Sequence, residues 1–77
     1  MNRFQLLKNH EDTIYLFVKA GILSYKILRD MDIYQSYLEL QDDVSYNQIK
    51  YILLGEQYEL SEKSIELIVY NMQKEIN

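Results

Sequence analysis

The sequence predicts an all-α fold: a compact bundle of four to five short helices with a C-terminal helix-turn-helix, in one domain covering residues 1–77. Three observations carry that prediction. The chain is 48% hydrophobic yet has no proline and only two glycines, which leaves few of the turns an all-β fold needs. Its apolar residues recur three and four apart, the spacing of a helical face. Serine, asparagine and glycine stand between the periodic stretches, where helices are capped and ended.

Residues 2–8 read as a short helical turn that packs on the body through Phe4, Leu6 and Leu7, with an exposed arm as the alternative. Asn9 is placed to cap a helix from His10 to Ala20, with Glu11 and Asp12 at the positive end of its dipole and Gly21 ending it. Ile14, Tyr15, Leu16, Phe17 and Val18 are apolar almost all round, so this helix is expected to be central and largely buried. Ser24 caps the next helix, Tyr25 to about Gln41. Its stripe of Ile27, Met31, Tyr34 and Leu38 is widened by Ile33, Tyr37 and Leu40, and so meets more than one neighbour. Arg29, Asp32, Ser36 and Glu39 form its solvated face. Gln41, Asp42, Asp43 and Val44 make a short polar link to Ser45, which can cap a helix from Tyr46 to Tyr58. Only Glu59 and Leu60 then precede Ser61, the cap of a last helix whose buried stripe runs Ile65, Ile68, Val69, Met72 and Ile76.

Two helices that both need burial and are joined this tightly must approach closely, and close approach needs a small residue. Gly55 supplies one. It admits a second reading, as the glycine that ends the preceding helix before a polar turn. With Leu54, Tyr58, Leu60, Ser61, Ile65 and Ile68, Gly55 resembles the pattern of helix-turn-helix DNA-binding proteins, particularly small homeodomain-like or Mor-like regulators of phage and mobile elements. The match covers Ile49 to Asn71, within a motif spanning residues 45–76. The position two before Ser61 is usually glycine in that family because its backbone is left-handed; here it is Glu59, at a cost of about 1 kcal/mol.

The resemblance implies a non-enzymatic, transcription-regulatory protein that binds double-stranded DNA as a dimer, with residues 61–74 approaching the major groove. Lys63, Gln73 and Lys74 would then reach bases, Ser61 and Ser64 would reach phosphates, and Arg3 and Lys8 would grip flanking phosphate. The net charge of −4 is unevenly spread: residues 1–29 hold five basic against two acidic residues, residues 30–77 three against ten. Because phosphate neutralisation dominates DNA affinity, the basic first third has to contribute. An alternative reading is an acidic protein–protein interaction module without DNA binding, in which Leu67 and Tyr70 form the interface with a second copy or another protein. Tyr25, Tyr34, Tyr37, Tyr46, Tyr51 and Tyr58 suit either a core rim or an interface.

Other functions find little support. His10, the only histidine, is flanked by acids but has no second group set for acid–base work and reads as the start of a helix. Asp30 with Asp32, or Asp42 with Asp43, lacks the spacing of a calcium loop. There is no cysteine, hence no thiolate metal site or nucleophile. No cofactor, metal or small-molecule substrate is expected. The N-terminal residues are too charged for a signal peptide, and the most apolar stretch, Ile14 to Leu23, is half the ~20 residues a membrane span needs. A soluble, cytoplasmic protein is the expectation.

Overall fold

In the computed structural model, residues 1–40 and 46–76 are described and form five helices: α1 (Arg3–Asn9), α2 (Glu11–Lys19), α3 (Lys26–Leu40), α4 (Asn47–Tyr58) and α5 (Glu62–Met72). The link at 41–45, with the expected Ser45 cap and the Asp42–Asp43 pair, lies outside the described residues, as does Asn77.

α1 begins with a reciprocal cap that the sequence reading overlooked. The Asn2 side chain accepts the Gln5 N–H at 2.9 Å, and the Gln5 side chain accepts the Asn2 N–H at 2.8 Å, so two of the orphan donors at the helix start are satisfied. Phe4 is buried, Leu7 partly so, and Leu6 faces solvent. Asn9 is not a cap. It is the last residue of α1, and His10 joins the two helices, capping α2 through its backbone with no side-chain bond. α2 ends where expected. Gly21, at φ 78, adopts the left-handed conformation; its N–H donates to the Val18 carbonyl, and the Ile22 N–H to that of Phe17, the paired bonds of a Schellman ending.

The expectation that α2 is central is overturned. Ile14 is buried, but Tyr15, Leu16 and Phe17 are 58%, 61% and 43% exposed. α2 leans mainly on α1, itself only seven residues long, and a helix apolar on every side has more such surface than one short neighbour can cover. The centre belongs to α3. Fifteen residues make it about 22 Å long, enough to contact α1, α4 and α5 together. Its start is helped by the Ser24 hydroxyl, which accepts the Lys26 N–H at 3.2 Å. Ile33 is fully buried, and Met31, Tyr34 and Tyr37 nearly so, whereas Ile27, Leu38 and Leu40 lie at the edge. Of its expected solvated face, Asp32 and Glu39 are exposed; Arg29 is half-buried and paired with its neighbour Asp30 at 3.0 Å, and the Ser36 hydroxyl lies 3.4 Å from that of Tyr58.

An aromatic run knits α1, α3 and α4. The rings of Phe4 and Tyr34, Tyr34 and Tyr37, and Tyr37 and Tyr51 lie 4.8, 5.8 and 6.0 Å apart, separations at which aromatic pairs gain beyond simple burial. The Tyr37 hydroxyl donates to Asn47 at 3.0 Å. Tyr51 and Tyr58 sit at the core rim as expected, but Tyr25 and Tyr46 are exposed. Lys50 is 4% exposed, its ammonium 5.3 Å from the centre of the Tyr37 ring; the stem packs as hydrocarbon while the head meets the ring's negative face.

α5 stops at Met72, so Ile76 does not extend its buried stripe and is exposed. The chain instead runs back beside the N-terminus. The Arg3 N–H donates to the Lys74 carbonyl at 2.9 Å, the Ile76 N–H to the Met1 carbonyl at 3.0 Å, and the terminal ammonium meets Glu75 at 3.2 Å. No helix among the described residues is long and apolar enough to cross a membrane.

Candidate nucleic-acid interface

The α4–α5 corner sets the geometry of the expected site. Gly55 lies inside α4 rather than ending it; the helix continues to Tyr58 and stops at Glu59, whose backbone is left-handed at φ 57, ψ 42. The Leu60 N–H returns to the Gly55 carbonyl at 2.9 Å. A Cβ on Gly55 would sit 2.7 Å from the Leu60 carbonyl oxygen, so the turn presses against the one residue able to admit it. Of the two readings of Gly55, the close-approach one holds. Ser61 then caps α5, accepting the Ser64 N–H at 3.1 Å, and Glu62 occupies the first turn.

Burial of Leu54, Ile65 and Val69, with Tyr58, Leu60 and Ile68 packed at their edge, seats one side of α5 and fixes which side faces out. Eleven residues complete about three helical turns, so Lys63 and Lys74 fall on one outward stripe, at its two ends. Between them lie Leu67 and Tyr70, 49% and 61% exposed. Lys74 follows the end of α5, yet its ammonium lies 5.2 Å from the centre of the Tyr70 ring, which keeps it on that face. Gln73 lines one side of a shallow groove of about 300 Å3, shared with Tyr51 of α4 and with Glu66, Leu67 and Tyr70.

The basic residues are only partly gathered. The backbone bond between Arg3 and Lys74 brings the start of the chain to the far end of this stripe. Lys8 is not brought there. It lies at the other end of α1, in an ion pair with Glu11 at 2.9 Å. Lys63 pairs with Glu66 at 3.5 Å; exposed pairs of this kind are worth about 0–1 kcal/mol, so a phosphate can displace the carboxylate. Ser61 and Ser64 are already engaged with each other, the Ser61 hydroxyl donating to the Ser64 oxygen at 2.9 Å. That leaves the Ser64 hydroxyl hydrogen as the donor of the pair.

Two residues of this surface have places that the sequence left open or did not assign. Tyr51, which suited either a core rim or an interface, sits at the core rim and also lines the groove. Burial, and then the nearby Tyr37 and Glu66, raise its phenol above the usual tyrosine range, so the groove stays neutral at Tyr51 near pH 7. Glu66 also lines the groove, and its i, i+3 spacing from Lys63 was the sign of their ion pair available in the sequence. His10 is exposed at the α1–α2 junction. The surface therefore offers the outward face of a helix packed on α3 and α4, with a lysine near each end and an apolar middle. Compared with protein-family models, curated proteins and solved structures, the chain matches none.

Proposed function

We propose that this is a non-enzymatic, transcription-regulatory protein of helix-turn-helix type that acts in the cytoplasm and lays α5 in the major groove of double-stranded DNA. The observation that carries the reading is the corner itself: a turn so close that a Cβ on Gly55 would come within 2.7 Å of the Leu60 oxygen, Glu59 left-handed, and α5 held by one side with the other exposed. On this reading Lys63, Gln73 and Lys74 face the groove, Ser64 and Ser61 lie at the phosphates near the start of α5, and Arg3 meets phosphate at its far end. Lys8 stands apart and contributes only at long range.

Such a surface binds weakly and with strong salt dependence, because few phosphates are neutralised. Three cationic contacts per copy correspond to a log–log salt slope of roughly −2.7. Fluorescence anisotropy at low salt with a random duplex is the test. Binding is expected, is lost in the Lys63→Ala/Lys74→Ala double variant, and strengthens in Glu66→Gln. No binding at tens of micromolar protein would sink the proposal.

The groove bordered by Tyr51, Leu67 and Tyr70 favours a second reading, in which this face docks a protein partner and DNA is not bound. Tyr and Leu side chains around a concavity suit a protein interface. Leu67→Glu or Tyr70→Glu would then break an association without unfolding the chain, while leaving behaviour toward DNA unchanged.

A further inference from the structure

We propose that the outward face of α2 is a self-complementary surface on which a second copy of this chain docks antiparallel, about a two-fold axis passing between Tyr15 and Leu16. Residues three, four and seven apart share one stripe of a helix, and on the exposed side of α2 that stripe is Asp12, Tyr15, Leu16 and Lys19. All four are exposed, and neither Asp12 nor Lys19 is in an ion pair with another described residue. The stripe thus has an acid at one end, a base at the other about 10 Å away, and two large apolar side chains between.

That order selects both the partner and its direction. In an antiparallel pair, Asp12 of one copy meets Lys19 of the other, twice, and Tyr15 meets Leu16, also twice. In a parallel pair, aspartate would face aspartate and lysine lysine, which like-charge repulsion disfavours. A two-fold contact uses the same patch on both subunits, so a stripe complementary to its own reverse is what it requires.

The available area is also right. The amides of Ile22 and Leu23 both donate to the Phe17 carbonyl, at 2.9 and 3.2 Å, which folds these two residues against the end of α2. These two residues and Tyr25 leave further exposed apolar side chains beyond the Tyr15–Leu16 stripe, and Phe17 leaves another on the adjoining side of α2. The six large side chains, each exposing about one to two thirds of its surface, amount to roughly 500–800 Å2, taking about 150–250 Å2 for a fully exposed large residue, and the part of it continuous with the Tyr15–Leu16 stripe is what a second copy can cover. A standard interface uses about 800 Å2 per partner, and monomers seldom leave a patch of this size uncovered. The radius of gyration, 12.9 Å, exceeds the roughly 11.5 Å expected of 77 residues, in keeping with an element that stands off the body. α1 lies between α2 and α5, so the pairing leaves both α5 faces open and does not depend on what they bind.

Sedimentation equilibrium on the full chain, from micromolar to millimolar concentration, tests the proposal. The expected result is a dimer that Leu16→Glu converts to monomer with an unchanged helical circular dichroism spectrum. Asp12→Lys and Lys19→Asp should each weaken association at least tenfold, and the double swap should restore it, which mere loss of folding would not do. A wild-type chain that is monomeric at millimolar concentration overturns the proposal. So does a dimer that survives Leu16→Glu, or one broken by Leu67→Glu instead, or a double swap that fails to rescue.

Discussion

Replacing Gly55 with alanine puts the corner under direct test. In an unconstrained helix interior the change stabilises by up to about 1 kcal/mol, because glycine loses more backbone freedom on folding. Here the new Cβ would lie 2.7 Å from the Leu60 oxygen, a separation at which something must move. What it meets is backbone. The same turn is tied down by the Leu60 N–H bond to the Gly55 carbonyl, so the oxygen cannot retreat without straining that bond. Overpacking against a fixed neighbour costs about 1–3 kcal/mol, and with a backbone neighbour the upper part of that range applies. Set against the propensity gain, the net is a loss of about 1–2 kcal/mol, or roughly 5–15 °C in Tm for a domain of this size. Urea and thermal denaturation followed by circular dichroism measure it. A Gly55→Ala protein as stable as the wild type, or more so, would mean that α4 and α5 do not approach as described, and the basis for placing α5 on DNA would go with it.

Three further outcomes follow from the same region. Glu59→Gly removes the side chain from a left-handed residue and should stabilise by about 0.5–1 kcal/mol in urea denaturation. Ser61→Ala removes the cap on the Ser64 N–H and should destabilise by about 0.5–2 kcal/mol, whereas Ser61→Asp, which can cap in its place, should avoid most of that loss. The Tyr51 phenol, raised first by burial and then by Tyr37 and Glu66, is neutral in both states well below the ordinary value of 10.0, where its contribution to stability is complete. Above that pH the unfolded chain ionises first, so stability should fall as pH rises through the raised folded value. Tyr51→Phe should flatten that alkaline decline, measured as urea midpoints across the pH series.

What could be read without coordinates was whatever depends on neighbours in the chain. Ser61 as a cap, Gly21 as a helix end and Gly55 as a close-approach residue each rest on bonds or sterics spanning a few positions, and all three hold. The misplaced Asn9 cap is also local: Asn2 and Gln5 nucleate an earlier helix, which then runs through Asn9. Lys50 was not legible, since a charged residue on a helix gives no sign that an aromatic ring on another helix will receive it. Of the expected DNA-facing set, Lys63 is placed by helical phase, a sequence property, whereas Lys74, beyond the end of α5, is held on that face by the Tyr70 ring, and the backbone of Arg3 comes near only through the pairing of the two chain ends.

Sequence by itself determined the helices, their punctuation and the tight α4–α5 corner, because capping, propensity and glycine sterics act over one or two turns. Only the tertiary structure decided which helix became the centre. Local apolarity favoured α2, but burial is shared among all the elements, and α3 could reach three neighbours where α2 could lean chiefly on one. The surplus apolar surface of α2 stayed outside, and it is there that a second copy has something to cover.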